Sequence, residues 1–503
     1  MASKKQGGDH GYHAFAWQVS DPIHGSIAVS NLESTVIDSA PFQRLRKIKQ
    51  LGNVHLIFPG AIHNRFAHSL GAMHIAGKMF DALFRSVTAD AVQDKSALDR
   101  RELRIIVRLA GLLHDVGHGP FSHTFESCLK CKRDGQLSRC IVNDLDESLR
   151  IPINWVDKQL RSKFFDSPLA HEHYSFGLIR HIFSKIDSPG DIAQDVCSLL
   201  DERILPSARA TRLLENIAGK VFNSTDTSSL RRCIKAILSG ELDADRLDYL
   251  QRDSFYCGVS IASIDSEYIL DSMSLSVRNK SDQSKGENRE IYISINKSAI
   301  PAFEQVLISR KQMYDRVYHH RVNSGFDFII EYLVDYLMEE NPSKINFPKS
   351  IEDFLMMTDD WLESHIMRLA KSKERIPANV KLAAQLFVTR TPLKKLAEED
   401  VEEVKVENRK SELQQLNNKG KSSDKKVVFA KKLSKLTNMP REGGTGEAHL
   451  IMVKPDSEDE KPKAISDVSH VLGSTAWREI MSRIFVFESF SKTAQLRNLS
   501  NRL

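Results

Sequence analysis

Twelve residues constrain this 503-residue chain more tightly than any other part of it: Leu112-Leu113-His114-Asp115-Val116-Gly117-His118-Gly119-Pro120-Phe121-Ser122-His123. An apolar helical run ends in a His-Asp pair, and Gly117, Gly119 and Pro120 then break the helix, so three histidines and a carboxylate arrive at one helix end. Burying such groups without partners is costly, so the fold must bring other polar groups or an ion to them. Adjacent helical residues point roughly 100° apart, so His114 and Asp115 share an ion only if it lies between their directions. Other elements must complete its coordination.

The sequence around this stretch predicts a mainly α protein. Leu70, Met73, Gly77 and Phe80 fall at i, i+3, i+7 and i+10, and Leu103, Ile106, Ala110 and Leu113 repeat that spacing. Helical periodicity dominates from Phe42 to about Leu275 and again over 301–340 and 346–372. Two short alternating segments, Ser274–Val277 and Ile291–Ile295, flank a polar stretch and predict a β-hairpin with a long tip. The expected organisation is an N-terminal loose arm over 1–20, a helical core over 21–390 with an insert at 124–170 and a hairpin at 272–296, and a charged linker with a small α+β appendage over 391–503. No fixed-period repeat suggests a solenoid.

Composition narrows the class. Hydrophobic residues make up 41% and charged residues 27%, which excludes collagen-like and wholly disordered chains. The net charge of +5 permits an anionic ligand without demanding nucleic acid. No run approaches the ~18 apolar residues of a membrane span, and the first residues lack the apolar stretch of a secretory signal, so a cytoplasmic location with reduced cysteines is expected.

Partners for the His-Asp pair stand elsewhere in the chain: His68 opens one amphipathic helix and Asp245 lies within another. Two imidazoles and two carboxylates suit a divalent ion such as Zn, Fe, Mn, Co, Ni or Mg, with positions left for water or phosphate. A single His-Asp dipeptide occurs by chance about once in such a chain. The ordered set His68, His114-Asp115, His118, His123, His171-Glu172 and Asp245 says more.

That set resembles the HD-domain phosphohydrolase superfamily and, within it, the dNTP triphosphohydrolases, meaning bacterial dGTPases and the vertebrate enzyme that joins a sterile-alpha-motif domain to an HD domain. The similarity runs from about Asp21 to Arg321 and includes Asp21-Pro22-Ile23-His24-Gly25, Phe42-Gln43-Arg44-Leu45-Arg46, Ile48-Lys49-Gln50-Leu51-Gly52, His63-Asn64-Arg65-Phe66 and Arg252-Asp253. With ~20 residues before Asp21, no sterile-alpha-motif domain is expected there. The resemblance implies an HD helical core and hydrolysis of a dNTP at its α-phosphorus to deoxynucleoside and triphosphate, dGTP among the substrates. By motif position it implies that His68, His114, Asp115 and Asp245 hold the metal.

It further implies that His123 is the general acid for the leaving 5′-oxygen, oriented by Glu126, that His171-Glu172 assist at the α-phosphate or orient that first histidine, and that Arg65, His118 and Arg246 contact phosphates. Gln50, Leu51, Tyr249, Asp253, Arg310, Tyr318 and His319 would line the sugar and base end. On a helix, Arg310, Tyr314, Val317, Tyr318 and Arg321 share a face. Asp38, Gln43 and Arg46 match positions that bind an activating nucleotide between subunits, which implies a homo-oligomer, dimer or tetramer. Trp17 and Gln18 depart from the Lys-Val pair of the vertebrate enzyme, and His319 replaces its usual Gln.

The largest departure lies between His123 and His171, 48 positions apart, where an insert carries Cys128, Cys131 and Cys140. Three thiols there allow a structural zinc site or free thiols in a polar loop. Competing functions are another HD-type phosphodiesterase or nucleotidase acting on cyclic nucleotides, alarmones or single-stranded nucleic acid, and a non-catalytic nucleotide sensor. The Lys-rich region 394–463 has no aromatic ladder for nucleic acid.

Overall fold

The computed structural model describes residues 13–85, 95–126, 128–133, 136–279, 289–339, 345, 348–374, 376–400, 427–435, 451–454, 463–469 and 478–486. Its core is helical, as the periodicity predicts. Helices α1 (Arg65–Leu83) and α2 (Lys95–Leu113) pack together and bury Leu70, Met73, Phe80, Leu103, Ile106, Ala110 and Leu113. Residues on every side of α1 are buried, so it is the central helix, and a polar residue on it must find an internal partner. Helices α3 (His171–Lys185) and α4 (Ala244–Cys257) complete the frame of the site, α4 lying against α1.

The long crossover between α3 and α4 supplies three amphipathic helices, Ile192–Leu200, Ala208–Phe222 and Thr227–Ser239, which cover α2. The expected hairpin follows as strands Met273–Asn279 and Arg289–Ile295, antiparallel with Met273 opposite Ile295; its tip lies outside the described residues. Helix α5 (Ile300–Met313) then leads to α6 (Arg321–Glu339), and α7 (Asp359–Lys371) packs with Ala378–Val388. Strands Lys394–Asp400 and Val427–Lys435 flank Arg478–Val486 in an antiparallel sheet, while Ile451–Val453 joins the hairpin, parallel to Arg289–Ile295.

Two expectations need correction. The loose arm was to reach residue 20, but Phe15–Asp21 is a strand paired with Gly25–Ser30. Its period-two Phe15, Trp17 and Val19 is a strand pattern, and Trp17 Nε1 donates to Ser34 Oγ at 2.7 Å. In the insert, Cys140 is disulfide-bonded, whereas Cys128 is a buried thiol outside any disulfide that donates to Thr124 O at 3.3 Å. The three cysteines therefore form neither a common zinc site nor a set of free thiols. The insert itself carries a small hairpin, Lys130–Arg133 with Gln136–Arg139.

Two glycines permit the close approaches that shape the centre. A Cβ on Gly117 would collide with His171 O and Ser175 N at the start of α3, so the loop after α2 docks there only because it has none. Ser175 Oγ seals that contact, donating to His114 O at 2.8 Å and accepting from Gly117 N at 2.9 Å. A Cβ on Gly71 would occupy the space of the Asp248–Arg252 pair, which is buried between α1 and α4. Overpacking costs about 1–3 kcal/mol, and separating a buried ion pair about 3–5 kcal/mol. Gly71→Ala is therefore expected to lower stability by about 3 kcal/mol or more, read as the urea midpoint; an unchanged midpoint would show that α1 and α4 separate freely.

A second stability prediction concerns pH. His173 is buried near Phe164 and Phe176, with ring centroids 5.4 and 6.1 Å away. Its Nδ1 accepts from Ala170 N at 3.1 Å, which requires a neutral ring. Burial pushes its pKa down to about 4, whereas the unfolded ring titrates near 6.5. The unfolded chain thus binds the proton more readily, and His173 makes stability fall as pH drops from about 6.5 to about 4. His173→Gln is expected to flatten that part of the stability–pH curve, measured by denaturation at each pH. Curves that stay parallel would discard the assignment.

Candidate active site

Four helix ends converge on one cavity of about 750 Å³. At the start of α1, the Asn64 side chain caps the helix by accepting from Ala67 N at 3.1 Å, which places Arg65 in the first turn and His68 one position beyond Ala67. Asp243 caps α4 in the same way, accepting from Arg246 N at 2.8 Å and setting Asp245 in its first turn. His114 and Asp115 follow the last residue of α2, and His171 and Glu172 open α3.

His68, His114 and Asp245 come together with ligand atoms all within 4.8 Å of one another. His68 Nδ1 is bonded to Asp248 Oδ2 at 2.7 Å and His114 Nδ1 to Gly111 O at 2.8 Å, so both rings turn Nε2 toward the cluster. Both Nε2 atoms are buried and make no hydrogen bond among the described residues, although His68 Nε2 lies 3.1 Å from Asp245 Oδ1. Two orphaned imidazole nitrogens facing a carboxylate, each ring fixed through its other nitrogen, are a donor set that fits a divalent cation. Asp115 reaches the same point, with Oδ2 3.6 Å from His68 Nε2 and Oδ1 3.4 Å from His114 Nε2, while Arg65 Nη1 holds its Oδ2.

The electrostatics agree with that reading. Burial opposes protonation of His68, but Asp245 and Asp248 outweigh it and hold the pKa up at about 10. Burial likewise opposes ionisation of Asp115 and Asp245, yet the histidines, and for Asp115 also Arg65, keep both carboxyls well below the usual range. The site therefore concentrates negative charge beside imidazoles, and a cation would take the place of the imidazole protons.

A second cluster lies alongside. His118, His123, Glu126 and His171 again place ligand atoms within 4.8 Å of one another. Glu126 Oε2 holds two rings, His123 through Nδ1 at 3.3 Å and His171 through Nδ1 at 3.1 Å. Burial opposes its ionisation, but those two imidazoles keep it low. His118 stacks on His171 with centroids 3.7 Å apart, and burial together with Arg65 and His171 pushes its pKa well down. Its Nε2 lies 3.3 Å from Asp115 Oδ1, so Asp115 links the clusters.

Of the residues singled out in the sequence, Gln50, Leu51, Arg65, His114, Asp115, His118, His123, His171, Glu172, Asp245, Arg246, Tyr249, Asp253, Arg310, Tyr318 and His319 line the cavity. His68 and Glu126 stand behind that lining and reach it through Asp245 and His171. Tyr318 Oη donates to Asp253 Oδ2 at 2.7 Å, and His63 Nε2 holds Asp253 Oδ1 at 2.8 Å. The regular helix expected across 310–321 does not form, since Tyr314–Tyr318 is a π-helical turn, a device common at functional sites. Arg246 donates to Gly240 O and lies 3.5 Å from Asp243 Oδ2, so it is drawn toward its own helix cap.

Asp38, Gln43 and Arg46 are not part of this cavity. Gln43 Nε2 donates to Ile37 O, Arg46 Nε donates to Gln43 Oε1, both at 2.8 Å, and the Arg46 guanidinium covers the Phe66 ring.

Sequence reasoning assigned no role to Asp248, His24 or His63. The Asp248 carboxylate holds His68, His24 Nε2 at 2.6 Å and Arg252 in a fork. One signal was available: Asp248 is one helical turn from Asp245. Removing an outer partner of a metal ligand typically costs about 10–100-fold in affinity. Asp248→Asn is accordingly expected to weaken divalent-metal binding by about that factor, read by calorimetric titration; wild-type affinity would leave His68 without need of orientation.

Residues 65–253 match the profile of the HD domain, a match that begins at Arg65 and ends at Asp253. The chain is 32% identical over 311 residues to the uncharacterized protein YwfO of Bacillus subtilis, covering 62% of this chain and 53% of that one. It is 29% identical over 366 residues to the deoxynucleoside triphosphate triphosphohydrolase SAMHD1 homolog of Dictyostelium discoideum, covering 71% and 55%. The chain thus spans about half the length of these curated relatives. Its fold is that of a phosphohydrolase from Bacteroides thetaiotaomicron, with TM-score 0.58 and 20% identity over 94% of this chain and 99% of the other. Among the described residues, no helix is long and apolar enough to cross a membrane.

Proposed function

We propose that this protein is a metal-dependent deoxynucleoside triphosphate triphosphohydrolase that converts a dNTP and water to deoxynucleoside and triphosphate, with dGTP among its substrates. The observation that carries the proposal is the pair of imidazole–carboxylate clusters, linked by Asp115, that meet at one cavity. In the reaction the Pα–O5′ bond breaks, the water oxygen joins phosphorus and the 5′-oxygen takes a proton. A divalent cation held by His68, His114, Asp115 and Asp245 would supply charge neutralisation and an acidified water when bound.

The chain's own groups do the rest. His123, held through Nδ1 by Glu126, passes a proton to the leaving 5′-oxygen. Arg65 and His118 face the phosphates, and an Arg fork suits phosphate oxygens. Gln50, whose buried Oε1 has no partner among the described residues, accepts from a sugar hydroxyl. Tyr318, bonded to Asp253, closes the sugar end and is the gate against a 2′-hydroxyl in this proposal. Asp38, Gln43 and Arg46 belong to the proposal as an activator site between subunits of a homo-oligomer.

The test is direct: purified protein, with and without Mn or Mg, is incubated with each dNTP singly and in pairs, and products are resolved by anion exchange. Inorganic triphosphate is expected from at least one dNTP. Its absence from all combinations ends the proposal, and release only from pairs identifies an activator.

A further inference from the structure

The loop from His118 to His123 is strained and held from behind. Phe121 and Ser122 have φ of 53° and 56°, two consecutive non-glycine residues in the left-handed region. Each such residue costs about 1–3 kcal/mol and persists only where its surroundings enforce it. The enforcing groups come from the segment that opens α7. Phe121 N donates to Asp359 Oδ1 at 2.9 Å, and Lys49 N, next to Gln50, donates to Asp359 Oδ2 at 2.9 Å. Two positions earlier, Met357 O accepts from Arg44 Nη2 at 2.6 Å and Nε at 3.0 Å, while Arg44 Nη1 donates to His118 O at 2.8 Å.

Asp359 is 1% exposed and stands behind the cavity wall without lining it. Its place is fixed by Thr358, which caps α7 by accepting from Trp361 N at 3.4 Å, and its charge is faced by Lys49 Nζ at 3.6 Å. One buried carboxylate therefore ties together two walls of the cavity, the Lys49-Gln50 segment and the turn that ends in His123. Ser122 Oγ completes the brace, accepting from Arg65 Nε at 2.9 Å and donating to Lys49 O at 3.3 Å.

We infer that Asp359 is a positioning residue for His123, its carboxylate enforcing the left-handed Phe121–Ser122 turn that aims the imidazole at the leaving group. The inference rests on the reading of the cavity as a dNTP triphosphohydrolase site. An asparagine at 359 keeps one acceptor and sets an amide N–H₂ against one of the two backbone donors, so one of the two bonds is lost and the turn relaxes. A displacement of about 1 Å costs roughly 10²-fold in rate.

The test compares full-length Asp359→Asn with wild type on two substrates, a dNTP and its analogue with sulfur in place of the bridging 5′-oxygen. The sulfur leaves as a thiolate and needs no proton, so a misplaced general acid matters little to it. Expected is a fall in kcat of about ten- to a hundredfold on the dNTP, with KM within about twofold, and a change of less than about threefold on the thio analogue. Equal losses on both substrates, or no loss on either, overturn the positioning role. If wild type releases no triphosphate, the functional reading has failed and this inference falls with it. Should the variant not fold, residue-resolved hydrogen exchange on wild type decides: the Lys49 and Phe121 amides are expected among the slow exchangers, and rapid exchange of either overturns the brace.

Discussion

His114→Ala combined with Asp115→Ala is expected to abolish bound divalent metal and to lower kcat for triphosphate release about a thousandfold or more. The variant removes one of the two orphaned Nε2 donors and the carboxylate that links the clusters. A metal contributes several kcal/mol of charge stabilisation, and each 1.36 kcal/mol is a factor of ten in rate. Arg65 would also lose the carboxylate that holds it and swing from the phosphate side of the cavity. Elemental analysis and product chromatography on the same preparation check both halves. A variant that keeps stoichiometric metal would move the ion away from the end of α2.

His123→Ala is expected to lower kcat by about 10²–10⁴-fold while leaving metal content and thermal stability close to wild type. The His123 side chain is 73% exposed, so its loss opens no core cavity. Its Nδ1 is occupied by Glu126, which leaves Nε2 as the atom that the proposed proton transfer would use. Glu126 keeps its second partner, His171, at 3.1 Å in the variant, so the carboxylate does not become an unpaired charge. Full-progress curves with saturating metal give kcat and KM, and a loss confined to KM would recast His123 as a binding group.

These residues differ in how far the sequence discloses them. His114 and Asp115 are legible because an apolar helix that stops at a His-Asp pair and a glycine-rich loop has few structural uses. Asp245 is legible only as one member of an ordered set. Asp248 carries only a weak local mark: an acid one turn from another acid and four residues before Arg252 also reads as surface pairing. Only the packing of α4 on α1 puts it against His68, 180 positions away.

The left-handed Phe121 and Ser122 are invisible for the opposite reason, since local propensity argues against that conformation and an Asp 238 positions downstream of Phe121 enforces it. The helical core was readable from period alone, because α1 and α2 each keep one apolar spacing over many turns. The π-helical turn at Tyr314–Tyr318 was not, as its residues keep α-helical spacing while the backbone inserts a wider turn.

The short strand Ile451–Val453 has a consequence for how much of the chain the core requires. It pairs with Ile293–Ile295 of the hairpin, and all three of its residues are buried. A polypeptide truncated after the HD domain and its helices would present a bare row of amide and carbonyl groups along an isoleucine-rich margin, the kind of template on which chains stack. Ile451–Val453 thus covers that edge, and fragments made without it are expected to precipitate more readily than the full chain.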